Sequence, residues 1–307
     1  MVSTQENVGT SASARQAASV REVVAGPGLF LVASFASAIG VLGTYWFFVR
    51  TTTGQYIDES ALDEAVAVYG KATKAALGFL DALPIIAVVI GIGGLLYAAI
   101  VKRRWQGALI AFAGAGLANI LTQVLKAYVF TRPFRGIQTI MENSLPSGHT
   151  TAAASAAAAV FLVCSPARRP FVAFAGTTFA VAAGAATLVN QWHRPADVIA
   201  AFLVVSACMA PAGWLVLRTG ARWNTWDGFG STWTSSRAWL MLPLLVGLAA
   251  TALAVVMLVR ISPGSGVVST TNYFWTGLSL VVISGYLLGI AATWLFAVAV
   301  RRNRPEA

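Results

Sequence analysis

Residues 146–165 read PSGHTTAAASAAAAVFLVCS, and residues 193–217 read HRPADVIAAFLVVSACMAPAGWLVL. Each opens as a polar turn that carries a histidine and then runs unbroken into an apolar segment. His149 and His193 are the only 2 histidines of the chain. A helix that crosses a bilayer needs about 20 mostly apolar residues. Both stretches therefore read as spanning helices with their chemistry at one end.

Further apolar runs of that length lie near 28–49, 83–101, 107–125, 170–189, 238–259 and 274–299. With 148–165 and 196–217 they predict an all-α integral membrane protein, a bundle of about eight transmembrane helices. The alanine-rich run after Thr150 belongs at the centre, because small side chains let helices approach closely in lipid.

Composition agrees. Hydrophobic residues make up 57% of the 307 residues and charged residues 10%. A soluble domain carries about 25% charged residues. The net charge of +10 does not point to nucleic acid, because the basic residues flank long apolar runs instead of covering one polar face. Such flanking charges orient helices. An eight-span layout puts 13 of the 21 Lys and Arg on the side of the termini. The other side includes Lys126, Arg132, Arg135 and Arg194, which chemistry accounts for. The expected layout has both termini cytoplasmic in a plasma (inner) membrane and the motif loops extracytoplasmic.

The expected divisions follow the chain. Residues 1–27 form a disordered cytoplasmic tail. Residues 28–106 hold peripheral spans and an outward interfacial helix over 60–80, started by Ser60 with Asp63. Residues 107–217 form the core. Residues 218–307 hold a cytoplasmic loop with Trp223, Trp226 and Trp233, and two more spans.

Three motifs carry the chemistry. Pro146-Ser147-Gly148-His149 opens a helix, where unpaired N–H groups and the helix dipole favour an anion. Gly148 leaves the approach open and Ser147 adds a hydroxyl. Lys126, Arg132 and Arg135 bring three cations into the preceding loop. In His193-Arg194-Pro195-Ala196-Asp197, Pro195 suits the first helical turn. The spacing lets Asp197 reach back to one imidazole nitrogen and leaves the other as a nucleophile. His149, His193 and Asp197 could also be read as metal ligands, but zinc takes four ligands and the adjacent cations repel a metal.

In this order the three motifs resemble the type 2 phosphatidic acid phosphatase (PAP2) superfamily of membrane lipid phosphatases. The resemblance covers roughly residues 107–217. It implies metal-independent, cofactor-free hydrolysis through a phosphohistidine. On that pattern His193 attacks phosphorus, Asp197 orients it and His149 protonates the leaving oxygen. Lys126, Arg132, Ser147 and Gly148 hold the phosphate. The implied substrate is a membrane lipid: a polyprenyl phosphate or diphosphate, phosphatidic acid, or phosphatidylglycerol phosphate. A lipid-linked phosphotransferase and a noncatalytic relative stay open beside the hydrolase. Two positions depart from the pattern. Five residues, not six, separate Lys126 from Arg132. Ala186-Thr187 stands where the family carries Ser-Arg, so one phosphate-binding cation is missing, and Arg194 or Arg135 is the expected replacement.

Overall fold

Backbone polar groups in lipid must be satisfied within the chain, which leaves helices as the spanning form for sequences of this pattern. In the computed structural model, residues 26–69, 74–137, 142–226, 228–262 and 268–301 are described, and every regular element among them is helical. In chain order the helices are α1 (Gly28–Thr44), α2 (Thr52–Tyr69), α3 (Lys74–Leu96), α4 (Trp105–Val124) and α5 (Gly148–Val163), followed by α6 (Arg169–Val189), α7 (Pro195–Thr219), α8 (Ala238–Arg260) and α9 (Asn272–Arg301). Three of them run on into one wide π turn: Tyr45–Val49 after α1, Tyr97–Val101 after α3 and Leu125–Val129 after α4.

Among the described residues, seven helical stretches are long and apolar enough to cross a membrane. The eighth expected span is α5, which has only 16 residues. At 1.5 Å per residue it is about 24 Å long, short of the roughly 30 Å of a bilayer's hydrocarbon core. It is enclosed by α3, α4, α6 and α7, and it still runs from Ser147 beside the start of α7 to Val163 beside the start of α4. Its alanines make this possible. A Cβ on Gly91 of α3 would lie 2.9 Å from the Ala156 Cβ, and one on Gly176 of α6 would lie 3.0 Å from the Ala157 Cβ.

Side-chain contacts gather the end of α1, all of α2, the end of α4 and the starts of α5, α7 and α9 on one face. The Tyr45 hydroxyl donates to the Thr131 carbonyl, the Phe274 N–H donates to Glu64, and the Ser147 N–H donates to the Asp197 carbonyl at 2.9 Å. The opposite face holds the start of α4 and the α5–α6 junction. There the Arg104 guanidinium donates to the Val163 carbonyl and lies 4.0 Å from the Trp223 ring. Phe30 and Phe296 meet edge to face near the first and last turns of the helices that carry the chain ends.

The segment between α1 and α3 differs from the expectation. The helix expected over 60–80 falls on two helices: α2, which begins at Thr52 and holds Ser60 in its interior, and the start of α3 from Lys74. Residues 70–73 lie outside the described residues, as do the expected tail over 1–25 and residues 263–267. One side of α2 is packed into the bundle. Gln55, Asp58, Glu59, Ala61 and Leu62 are buried, and α2 packs on α6, α7 and α9. Its polar residues looked solvent-facing in sequence, but they find polar partners inside the bundle.

Candidate active site

α6 ends at Val189 and the chain reverses through Gln191, whose φ is 58°. The Thr187 carbonyl, free at the helix end, accepts from the Trp192 and His193 N–H groups at 2.9 and 3.2 Å. These bonds fix the His193 backbone. Arg194 is extended, Pro195 enters the first turn of α7, and Asp197 lies in that turn. Its Oδ2 accepts from the Arg194 N–H at 3.0 Å, the usual reach of an acid in the first turn back to the cap. The same oxygen meets His193 Nδ1 at 3.2 Å and accepts from Ser144 Oγ at 2.6 Å. An ionised carboxylate only accepts, so Nδ1 carries a proton, and in the neutral ring Nε2 keeps its lone pair.

The start of α5 is pinned to the same place. Ser147 is its N-cap, extended, with Oγ accepting from the Thr150 N–H at 3.3 Å and the Thr150 hydroxyl at 3.0 Å. Ser147 is fully buried. Its side chain is thus a cap and not the open hydroxyl that the sequence suggested. Gly148 faces Gln123, whose Nε2 would lie 3.2 Å from an added Cβ. Thr122–Thr151 at 3.0 Å and Asn119–Ser155 at 2.9 Å tie α4 to α5. His149, one residue into α5, is exposed. Its ring centroid lies 6.1 Å from that of His193 and 5.3 Å from the Trp192 ring. The two histidines, 44 positions apart in sequence, stand side by side.

The cations divide. Lys126 sits on the π turn after α4, partly exposed, and its carbonyl accepts from Asn143 of the motif loop. Arg132 has a fully buried guanidinium, 3.9 Å from both Asp58 Oδ2 and Glu59 Oε2. None of its three nitrogens makes a hydrogen bond among the described residues. Burial, and then the charge of Arg194, hold it below the usual guanidinium range. Arg135 turns to the far side of the loop and donates to the Arg50 carbonyl at 3.0 Å. Arg194 is fully buried. Its Nε donates to Glu59 Oε2 at 2.5 Å and its Nη1 to Ser144 Oγ at 2.8 Å. Arg135 and Arg194, the expected replacements for the missing phosphate ligand, thus each donate to groups of the protein itself.

Residues 107–223 match the family model described as the PAP2 superfamily. Over this part the chain is similar to the PAP2 superfamily. No curated protein and no solved structure matches the chain. The PAP2 segment takes in α4 to α7 and the whole run from Lys126 to Asp197. It leaves α1 to α3, α8 and α9 outside.

Two groups at the PAP2 site escaped the sequence reading. Asp58 and Glu59 come from α2, outside the PAP2 segment, and reach into it: Asp58 Oδ1 accepts from the Ala196 N–H at 2.9 Å in the first turn of α7. Burial, with the Asp197 charge next, pushes the Asp58 carboxyl up to about 7. The available signal was an adjacent acidic pair in a chain with 11 acidic residues, on the same side as the motif loops. The other group is Asn190. Both its amide atoms are buried without a partner among the described residues, in a cleft lined by Leu83, His149, Ala186, Thr187 and Trp192. Thr187, where the PAP2 pattern carries Arg, donates to the Gly184 carbonyl of its own helix.

Proposed function

We propose that this protein hydrolyses a lipid phosphate or diphosphate at the extracytoplasmic face of the membrane, through a phosphohistidine on His193. The observation that carries the reading is the pair of imidazoles 6.1 Å apart, one of them held through Nδ1 by a buried carboxylate. A single phosphoryl group can span that separation.

His193 Nε2 attacks phosphorus and the bond from phosphorus to the lipid oxygen breaks. His149, in its imidazolium form, gives its proton to that oxygen. Asp197 keeps the Nδ1 proton in place and stabilises the positive charge that develops on the His193 ring. In the second half, neutral His149 takes a proton from water, the oxygen of that water attacks phosphorus, and the N–P bond breaks to return His193. The half-reactions need opposite protonation states of His149, which gives a bell-shaped pH profile. Lys126, Arg132 and the first N–H groups of α5 form the cationic side of the site. His149 sits at the start of a helix shorter than the bilayer is thick, which suits a substrate that enters sideways with its tails in lipid.

The test is phosphate release by purified protein in detergent from polyprenyl phosphate, polyprenyl diphosphate, phosphatidic acid and phosphatidylglycerol phosphate. Wild type is expected to release phosphate from at least one. His193→Ala and His149→Ala should each lose at least about 100-fold in kcat, the scale of one acid–base group. Equal release by all three proteins would remove both assigned roles.

A further inference from the structure

The hydrogen bonds around Asp197 continue past the catalytic pair. Glu59 Oε2 accepts from Arg194 Nε at 2.5 Å. Arg194 Nη1 donates to Ser144 Oγ at 2.8 Å. Ser144 donates to Asp197 Oδ2 at 2.6 Å, and Asp197 Oδ2 meets His193 Nδ1 at 3.2 Å. Each direction is forced. A guanidinium has no acceptor, so Ser144 must accept from Arg194, and its single proton is then left for Asp197. The path joins α2, the motif loop and the start of α7, and all of its members are buried.

We propose that Glu59 is a positioning residue for His193, acting through Arg194 and Ser144. This rests on the reading of His193 as the nucleophile. Glu59 takes up the charge of Arg194. Without that, a guanidinium one residue from His193 would turn to Asp197 and compete with the imidazole for the same carboxylate. Glu59 thereby leaves Asp197 Oδ2 free to hold the Nδ1 proton, which keeps Nε2 unprotonated. The low dielectric of the site makes each of these bonds electrostatically stronger than in water, and makes an unpaired member costly. It also gives α2, which the PAP2 match does not include, a share in the reaction.

The chain has only 2 histidines, so a nitrogen-15 histidine spectrum contains two rings, and His149→Gln assigns them. The variants are Glu59→Gln and Ser144→Ala. The second breaks the path while leaving the Glu59–Arg194 pair in place, so it serves if Glu59→Gln does not fold. The spectrum of the neutral rings should show His193 in the Nδ1–H tautomer in wild type and a mixture in both variants. With the lipid substrate that wild type turns over best, kcat should fall about 10–100-fold, the scale for outer partners of a functional histidine. KM should stay within about twofold. The double variant should be no worse than the worse single one, because members of one path do not add, and Ser144→Thr should restore both readouts. If wild type releases no phosphate from any lipid, the hydrolase reading fails, and the tautomer still decides the role of Glu59. An unchanged His193 tautomer in Glu59→Gln and Ser144→Ala, whatever their activity, overturns the proposal.

Discussion

Two histidines can do opposite work only if their protons are held differently. His193 is buried on Asp197, whereas His149 is exposed beside Trp192. The sequence spacing already contained the His193–Asp197 contact, because four residues across a helix start bring the two side chains together. It did not contain the fate of Arg194. A cation next to a histidine motif reads as a phosphate ligand until its partner is known, and that partner, Glu59, lies 135 positions away. Asp58 makes a second residue-scale consequence testable. Its carboxyl rises from 3.8 to about 7 in the folded protein, so the folded state binds the proton more tightly than the unfolded state. The stability from this group is full below the lower value and is lost as pH rises through the upper one. Thermal unfolding of wild type in detergent, compared with Asp58→Asn, should show a stability difference that moves against wild type between those two values. A difference that does not vary with pH would contradict the burial of an ionisable Asp58.

At the scale of elements, the site depends on how closely α6 and α7 approach. A Cβ on Gly184 of α6 would lie 2.5 Å from Val198 Cγ1, one residue after Asp197 on α7. Valine is stiff at χ1 and cannot swing aside cheaply. Gly184→Ala should therefore destabilise the fold by about 1–3 kcal/mol and lower activity, and Val198→Ala in the same chain should recover most of both. Melting and turnover of the single and double variants check this, and equal losses in both would contradict it. The apolar runs were legible in sequence because burial in lipid needs little beyond length and hydropathy. α2 was not, because its mean composition is that of an amphipathic surface helix. What decides its position is a set of specific polar contacts: Gln55 on the Val49 and Pro133 carbonyls, Asp58 on α7 and Glu64 on α9. No periodicity in the chain encodes those partners.

At the scale of the whole molecule, α5 is the short member of the eight apolar runs, beside seven that are long enough to cross a membrane on length alone. Its alanines are apolar, so the run reads as a span, yet its 16 residues are surrounded by other helices. The PAP2 segment supplies His149, His193 and Asp197, and α2, outside it, supplies Asp58 and Glu59. The proposed orientation predicts which face an impermeant reagent reaches. With Cys164 and Cys208 replaced by Ser, Glu142→Cys in the motif loop should be labelled by an impermeant maleimide on intact cells. Arg222→Cys on the opposite face should be labelled only after lysis. Both sites are exposed in the structure, so the reverse pattern would place the chemistry on the cytoplasmic side.

The central claim is that His193 carries the phosphoryl group. The direct measurement is a quench in alkaline detergent, without heating, of protein turning over a lipid labelled at its phosphorus, followed by assay for base-stable, acid-labile label on histidine. The account predicts label on wild type and none on His193→Ala. Label persisting on His193→Ala at the wild-type level would contradict it.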